Sequence, residues 1–232
     1  MRNVNLPAHV AFIMDGNGRW AKRHFRPRAY GHKMGVQNML KLCAHAYKLG
    51  IKVVTVYALS TENLSRPKDE LEELYELFRS NFQKQRGKIH ELGVRVNIMG
   101  DISALPSDVQ EVLVETMQDT EKFAPYGLLN ICINYGARQE MVRAVNHAVS
   151  FGRFVDETSF KTLLYSANIP DPDLIIRTGG EVRLSNFLLY QAAYSVLYFS
   201  NKMWPEFSKR DFERALVNFS MRDRRYGNIR KG

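Results

Sequence analysis

Asp15 is followed by Gly16, Asn17, Gly18, Arg19 and Trp20, an order that joins an acid, a flexible turn and a cation within six residues. A carboxylate placed at a strand tip is the oxygen ligand that a hard cation such as Mg²⁺ takes. Two glycines around an asparagine, leading into Arg19-Trp20-Ala21-Lys22, suit a turn that aims free backbone N–H groups at an anion. Phosphate and metal chemistry is the joint reading. The surroundings agree: Asp15 is the only acid before Glu62, amid Arg2, Arg19, Lys22, Arg23, Arg26, Arg28, Lys33, Lys41, Lys48 and Lys52. Two further groups carry similar chemistry. One is Ser60-Thr61-Glu62-Asn63 with Arg66-Pro67; the other is Arg177-Thr178-Gly179-Gly180-Glu181 with Arg183-Leu184-Ser185-Asn186-Phe187. Arg28, Arg177 and Arg183 come from distant segments, and forked guanidiniums are the usual partners of phosphate oxygens.

A rival reading exists. Gly16-x-Gly18-x-x-Ala21 also matches a dinucleotide-binding fingerprint, which wants an acid roughly 20 residues later for the ribose. No acid stands between Asp15 and Glu62. An arginine facing a phosphorylated ribose stays open, and so does a tight turn with no ligand.

Positioning these groups falls to six short apolar runs: Val10–Met14, Val53–Ala58, Val94–Met99, Leu128–Ile133, Leu174–Ile176 and Val196–Phe199. Val10–Met14 lacks polar alternation, as a strand buried on both faces does. Helical periodicity fills the intervals, so the chain reads as α/β with a mainly parallel six-stranded sheet. The first long helix is expected over Gly35–Leu49, with Gly50 as its stop. Another follows Pro67, with Asp69 and Glu70 in its first turn and Leu71, Leu74, Tyr75, Phe78 and Phe82 on one face. Ser107 to Gln110 matches a capping box. Further helices are expected over Glu140–Val149 and Lys209–Phe219. Polar and glycine clusters follow five of the runs, and open α/β sheets bind ligands outside the carboxyl ends of their strands.

With 33 basic against 24 acidic residues the net charge is +9, which favours anionic partners. No aromatic-interleaved basic motif marks a nucleic-acid reader. No repeat or linker divides residues 1–232, which read as one domain. Cys43 and Cys132 lack metal spacing and read as reduced core thiols of a cytoplasmic protein. No signal-like opening and no bilayer-length apolar run is present, so any membrane contact is expected to be peripheral. His9, His24, His45, His90 and His147 are scattered without ligand spacing.

Taken in order, the three motif groups resemble the cis-prenyltransferase family from about His9 to Gly227. The resemblance implies a twisted, mainly parallel six-stranded sheet with surrounding helices and an apolar channel, working as a homodimer. It implies Mg²⁺-dependent condensation of isopentenyl diphosphate onto an allylic diphosphate, farnesyl diphosphate above all, with cis double bonds. The implied product is a polyprenyl diphosphate of undecaprenyl type, a cell-wall lipid carrier precursor. Carried over by position, Asp15 is the catalytic carboxylate and metal ligand. Gly16, Asn17, Gly18, Arg19, Arg28 and His32 form the allylic diphosphate pocket, with Trp20 as a substrate contact. Asn63 resembles the residue that assists proton removal, beside Ser60, Thr61, Glu62, Leu64 and Arg66. Arg177, Arg183, Leu184 and Ser185 resemble the isopentenyl diphosphate site. Leu74, Leu77, Phe78, Ala58 and Ile133 are channel candidates. Arg225-Tyr226-Gly227 matches the family's R-x-G tail. Three departures stand out: Leu64 replaces a common Trp, Val182 replaces a residue that is often His, and Val196 replaces a Glu that takes part in Mg²⁺ binding. They leave a catalytically weak prenyltransferase-like subunit as an alternative reading. The absence of a D-D-x-x-D pair argues against the trans-prenyltransferase architecture.

Overall fold

The computed structural model describes residues 5–123 and 127–222. Its strands are β1 (His9–Ile13), β2 (Val53–Ser60), β3 (Arg95–Met99), β4 (Leu128–Tyr135), β5 (Leu174–Arg177) and β6 (Val196–Phe199). They form one sheet in the order β3-β4-β2-β1-β5-β6, and every pairing is parallel. All six expected runs are strands. The helices are α1 (Asn17–Arg23), α2 (Arg28–Lys48), α3 (Lys68–Leu92), α4 (Ser107–Thr120), α5 (Ala137–Ser150), α6 (Glu157–Lys161) and α7 (Lys209–Ser220).

The apolar runs are explained by burial on both faces. Val10 and Phe12 of β1 join a core with Val54, Val56, Leu129, Ile131, Leu174 and Ile176 under α2, α3, α4 and α7. Ala11 and Ile13 point the other way, into a second core with Cys132, Ile175, Phe187 and Leu188. Alternate residues of one strand thus serve two layers, so no polar alternation survives in the sequence.

Two helix expectations need correction. The long helix α2 begins at Arg28, seven residues before Gly35, because Pro27 opens it at the N-cap. In that extra stretch Arg28, His32 and Lys33 interrupt the apolar residues and Gly31 sits mid-helix, which hides its period. The Ser107–Gln110 capping box does not form: Pro106 occupies the N-cap of α4, and Gln110 Nε2 donates to the carbonyls of Ser103 and Leu105. The Arg225-Tyr226-Gly227 tail lies outside the described residues.

Close approach of α1 to α2 is made by glycine. A Cβ on Gly31 would stand 2.1 Å from the Asn17 carbonyl oxygen, and one on Gly35 would stand 2.4 Å from Asn17 Oδ1. Both glycines are buried in α2, and they bring the turn after β1 against the helix that carries Arg28 and His32.

Candidate active site

In the sheet order, chain connections leave β1 toward β2 on one side, while β5 lies on the other. Loops diverge at such a switch point, leaving a crevice at the carboxyl ends of the two strands. Asp15 follows β1 there and Arg177 ends β5. Arg177 Nη2 donates to Asp15 Oδ2 at 3.0 Å, while Arg19 Nη2 donates to Asp15 Oδ1 at 3.0 Å. The main chain is pinned as well: the Asp15 carbonyl accepts from Thr178 Oγ1 (2.8 Å) and from the Trp204 amide (3.0 Å). Gly16 has φ +106°, and a Cβ there would stand 2.9 Å from Met203 Cβ. Only glycine meets both demands, so the turn after Asp15 is fixed by sterics.

Arg177 is buried. Its Nη1 donates to the Arg183 carbonyl and to Ser185 Oγ, both at 2.7 Å, and its Nε has no partner. One guanidinium therefore ties β1 to the 183–187 loop. That loop holds Ser185 and Asn186 in left-handed backbone at φ +49° and +62°, a conformation that residues bearing a Cβ rarely take. Asn186 Nδ2 donates to Glu62 Oε1 at 2.8 Å. Partial burial raises the Glu62 carboxyl, but hydrogen bonds from Asn186 and from its own turn hold it below the usual range. Beneath, buried Glu140 accepts from Tyr135 Oη (2.6 Å) and Gln191 Nε2 (3.1 Å).

Across the cleft, Glu70 Oε1 of α3 receives Arg66 Nη1 at 2.8 Å and Arg28 Nη2 at 3.1 Å. His32 sits beside them. Burial, with the nearby Arg28 and Arg66 charges, lowers its pKa to about 4, so the imidazole is neutral at neutral pH. Asn63 closes a capping box, its Oδ1 accepting from the Ser60 amide at 3.2 Å.

These groups line one cleft of about 1060 Å³. Its wall includes Asp15, Gly16, Asn17, Gly18, Arg19, Arg28, His32, Ser60, Glu62, Asn63, Arg66, Arg177, Arg183 and Ser185. Four of the expected contacts lie off that wall. Trp20 stacks on Tyr30 and His24, because the helical turn from Arg19 rotates it away. Thr61 Oγ1 is buried next to Gly136. Leu64 packs against the main core and Leu184 against the second. The wall also holds Met14, Lys22, Phe25, Arg26, Tyr57 and Asn186. Lys22 and Arg26 were visible as cations, but a basic face alone does not say which side of a helix meets a cleft. Of the strand-end clusters, Gly100-Asp101 is not on the wall and instead joins Asn134 through Asn134 Nδ2 to the Asp101 carbonyl.

The cleft opens onto a narrow apolar slot of about 100 Å³ between α2, α3 and the sheet. Met14, Asn17, His32, Ala58 and Leu74 belong to both. Leu77, Phe78, Phe82, Leu129 and Ile131 continue the slot; Ile133, an expected channel residue, is sealed in the core one strand repeat further along. A cationic mouth continuous with an apolar slot has the shape of an amphiphile with a diphosphate head.

Among the described residues no three His, Cys, Asp or Glu side chains cluster as a metal cage. Asp15 offers one carboxylate at the mouth. That donor set fits Mg²⁺, which commonly keeps several waters and uses one or two carboxylates plus substrate phosphates.

Comparison with known proteins agrees with this geometry. The family described as "Putative undecaprenyl diphosphate synthase" matches residues 13–227. A tritrans,polycis-undecaprenyl-diphosphate synthase (geranylgeranyl-diphosphate specific) from Pyrococcus abyssi is 46% identical over 96% of this chain and 87% of its own. An isoprenyl transferase from Thermotoga maritima is 44% identical over 99% of this chain and 100% of its own. Among solved structures, a lavandulyl diphosphate synthase from Lavandula x intermedia, in complex with dimethylallyl diphosphate, superposes with TM-score 0.88 at 32% identity. That match covers 96% of this chain and 99% of the other.

Proposed function

The chain belongs to the undecaprenyl diphosphate synthase family of prenyltransferases, and from that footing we propose that it condenses isopentenyl diphosphate onto an allylic diphosphate with cis geometry. The observation that carries this reading is the continuity of the cationic cleft with the apolar slot through five shared residues. The head of the allylic primer lies among Arg28, Arg19, His32 and the Gly16–Gly18 turn, with its hydrocarbon in the slot. Isopentenyl diphosphate is held by Arg177, Arg183 and Ser185. Arg183 presents a fork suited to phosphate oxygens, while buried Arg177, whose Nη1 and Nη2 already hold Arg183, Ser185 and Asp15, fixes that loop and adds its charge.

Asp15 would hold the metal ion, and a bound Mg²⁺ supplies Lewis-acid neutralisation of the diphosphate leaving group. The side chains do the rest. Arg19 and Arg28 take up negative charge as the allylic C–O bond breaks. The terminal alkene carbon of isopentenyl diphosphate then bonds to the allylic carbon, and a proton leaves its C2. Asn63 carries an amide, which is not a base at neutral pH, so it orients the isopentenyl unit and a diphosphate oxygen takes the proton. Arg177 holds the isopentenyl diphosphate loop and Asp15 in one frame, because it touches both halves of the cleft.

The dinucleotide reading loses its support with this family membership. Farnesyl diphosphate is the proposed primer and an undecaprenyl-type chain the proposed product; the Pyrococcus abyssi relative, named as geranylgeranyl-diphosphate specific, makes the primer a direct comparison. A homodimer is proposed, with Val142, Val149 and Phe151, each at least 60% exposed around the end of α5, as the apolar surface to be covered. Purified protein with Mg²⁺, labelled isopentenyl diphosphate and either farnesyl or geranylgeranyl diphosphate tests the reaction. A ladder of cis-polyprenyl products is expected, and no incorporation with any allylic primer overturns it.

A further inference from the structure

The turn between α1 and α2 holds a feature that diphosphate binding leaves unused. Helix α1 ends in a Schellman arrangement: the Arg26 amide donates to the Ala21 carbonyl (2.9 Å) and the Phe25 amide to the Lys22 carbonyl (3.1 Å). The residue at the turn of such a motif takes left-handed backbone and is usually glycine. Here it is Phe25, at φ +54°. A strained aromatic ordinarily recovers its cost by packing, yet Phe25 is 97% exposed. Single exposed apolar residues are common on soluble proteins, but strain without burial is not.

The neighbours supply charge. Lys22, Arg23 and Arg26 are exposed, and among the described residues none of them forms an ion pair. No acid occurs between Asp15 and Glu62. Arg26 lies over the Tyr30 ring, 5.6 Å from its centroid, and Tyr30 is 39% exposed. An aromatic tip ringed by unpaired cations fits one environment well: the interface of an anionic bilayer, where the ring enters the boundary and the cations meet headgroups. A nucleic acid or an acidic protein would use the cations and leave the ring unexplained.

We propose that the Lys22–Arg26 turn is an interfacial anchor that docks the protein on an anionic lipid surface through Phe25. Lys22, Phe25 and Arg26 also belong to the cleft wall, so docking sets the mouth of the cleft against the lipid, where amphiphilic isoprenoids partition. The surface stands on its own geometry; its use in substrate transfer rests on the prenyltransferase reading.

Co-sedimentation with phosphatidylcholine vesicles, with or without a quarter of phosphatidylglycerol, tests it without substrate, so an inactive protein reports equally well. Binding is expected only to the anionic vesicles and should weaken as salt screens the cations. Phe25→Gly suits the backbone at this position and should melt no lower than the parent, yet bind the anionic vesicles roughly ten-fold more weakly. Arg23→Glu should lose binding to a similar degree. In Phe25→Trp, emission should shift to the blue on adding anionic vesicles. Equal binding by Phe25→Gly and the parent, or equal binding to neutral and anionic vesicles, overturns the proposal.

Discussion

Asp15 is held by two guanidiniums at once, with Arg19 on one oxygen and Arg177 on the other. A carboxylate in that position tunes charge at the mouth of the cleft rather than holding the fold together. Asp15→Ala should therefore keep the circular dichroism and melting behaviour of the parent while cutting kcat by roughly a hundred- to a thousand-fold, the usual loss when one electrostatic contact to the transition state goes. Arg177→Lys is the complementary case. Lysine brings one point charge where Arg177 brings a fork to the Arg183 carbonyl, Ser185 and Asp15. Its expected signature is a raised KM for isopentenyl diphosphate, read by steady-state kinetics with saturating primer. Asp15 and the arginines were legible in sequence because their types and strand-end positions announce phosphate chemistry. The side-chain directions of Trp20, Leu64 and Leu184 were not, since rotation about a helix and choice of core face are decided by what packs opposite.

At the scale of elements, the pairing of α1 with α2 determines whether the Gly16–Gly18 turn keeps its shape. Gly31 leaves no space for even one carbon before the Asn17 carbonyl. Gly31→Ala should push α1 outward, costing about 1–3 kcal/mol of stability as an overpacked site does. Urea denaturation reads that loss, and primer affinity should fall with it. The slot between α2 and α3 makes a second point. At about 100 Å³ it holds only a few water-sized groups, whereas a growing polyprenyl chain needs far more room. Helix α3 is well placed to yield: among its residues only Leu74, Phe82 and Ile89 are buried. Leu77→Trp, which fills the slot from α3, should shorten the product ladder on chromatography while leaving the first condensation intact.

For the whole molecule, two consequences follow from where groups sit relative to the sheet. Val196 opens β6 and pairs with Leu174, whereas Asp15 lies beyond the other end of β1, past the level of Phe199. Three strand residues span about 10 Å, so a glutamate at 196 would not reach a metal on Asp15 of the same chain. Val196→Glu should leave the Mg²⁺ concentration for half-maximal rate unchanged; a lowered requirement would mean that the metal site is shared between two copies. The second consequence concerns pH. His9 is buried between the Pro170 carbonyl and Thr55, and burial lowers its pKa to about 4, as it does for His32. Both are neutral in the fold and protonate more readily unfolded. Stability is therefore full above about pH 6.5 and is lost as pH falls toward 4. His9 alone accounts for up to about 3 kcal/mol of that loss. Urea midpoints across this window should fall with pH, and His9→Gln should flatten the slope.

The amino-acid sequence by itself determined the six strands, their parallel arrangement and the polar clusters at their carboxyl ends. Those features follow from local composition: uninterrupted apolar runs must be buried on both faces, and glycine with acid or arginine must stop them. Only the tertiary structure decided which clusters meet. The strand order sets β5 beside β1, and so brings Arg177 onto Asp15 across 162 residues of chain. It also set the sealing of Ile133 and the core faces taken by Leu64 and Leu184. Each depends on contacts between segments far apart in sequence, whose energies no local pattern encodes.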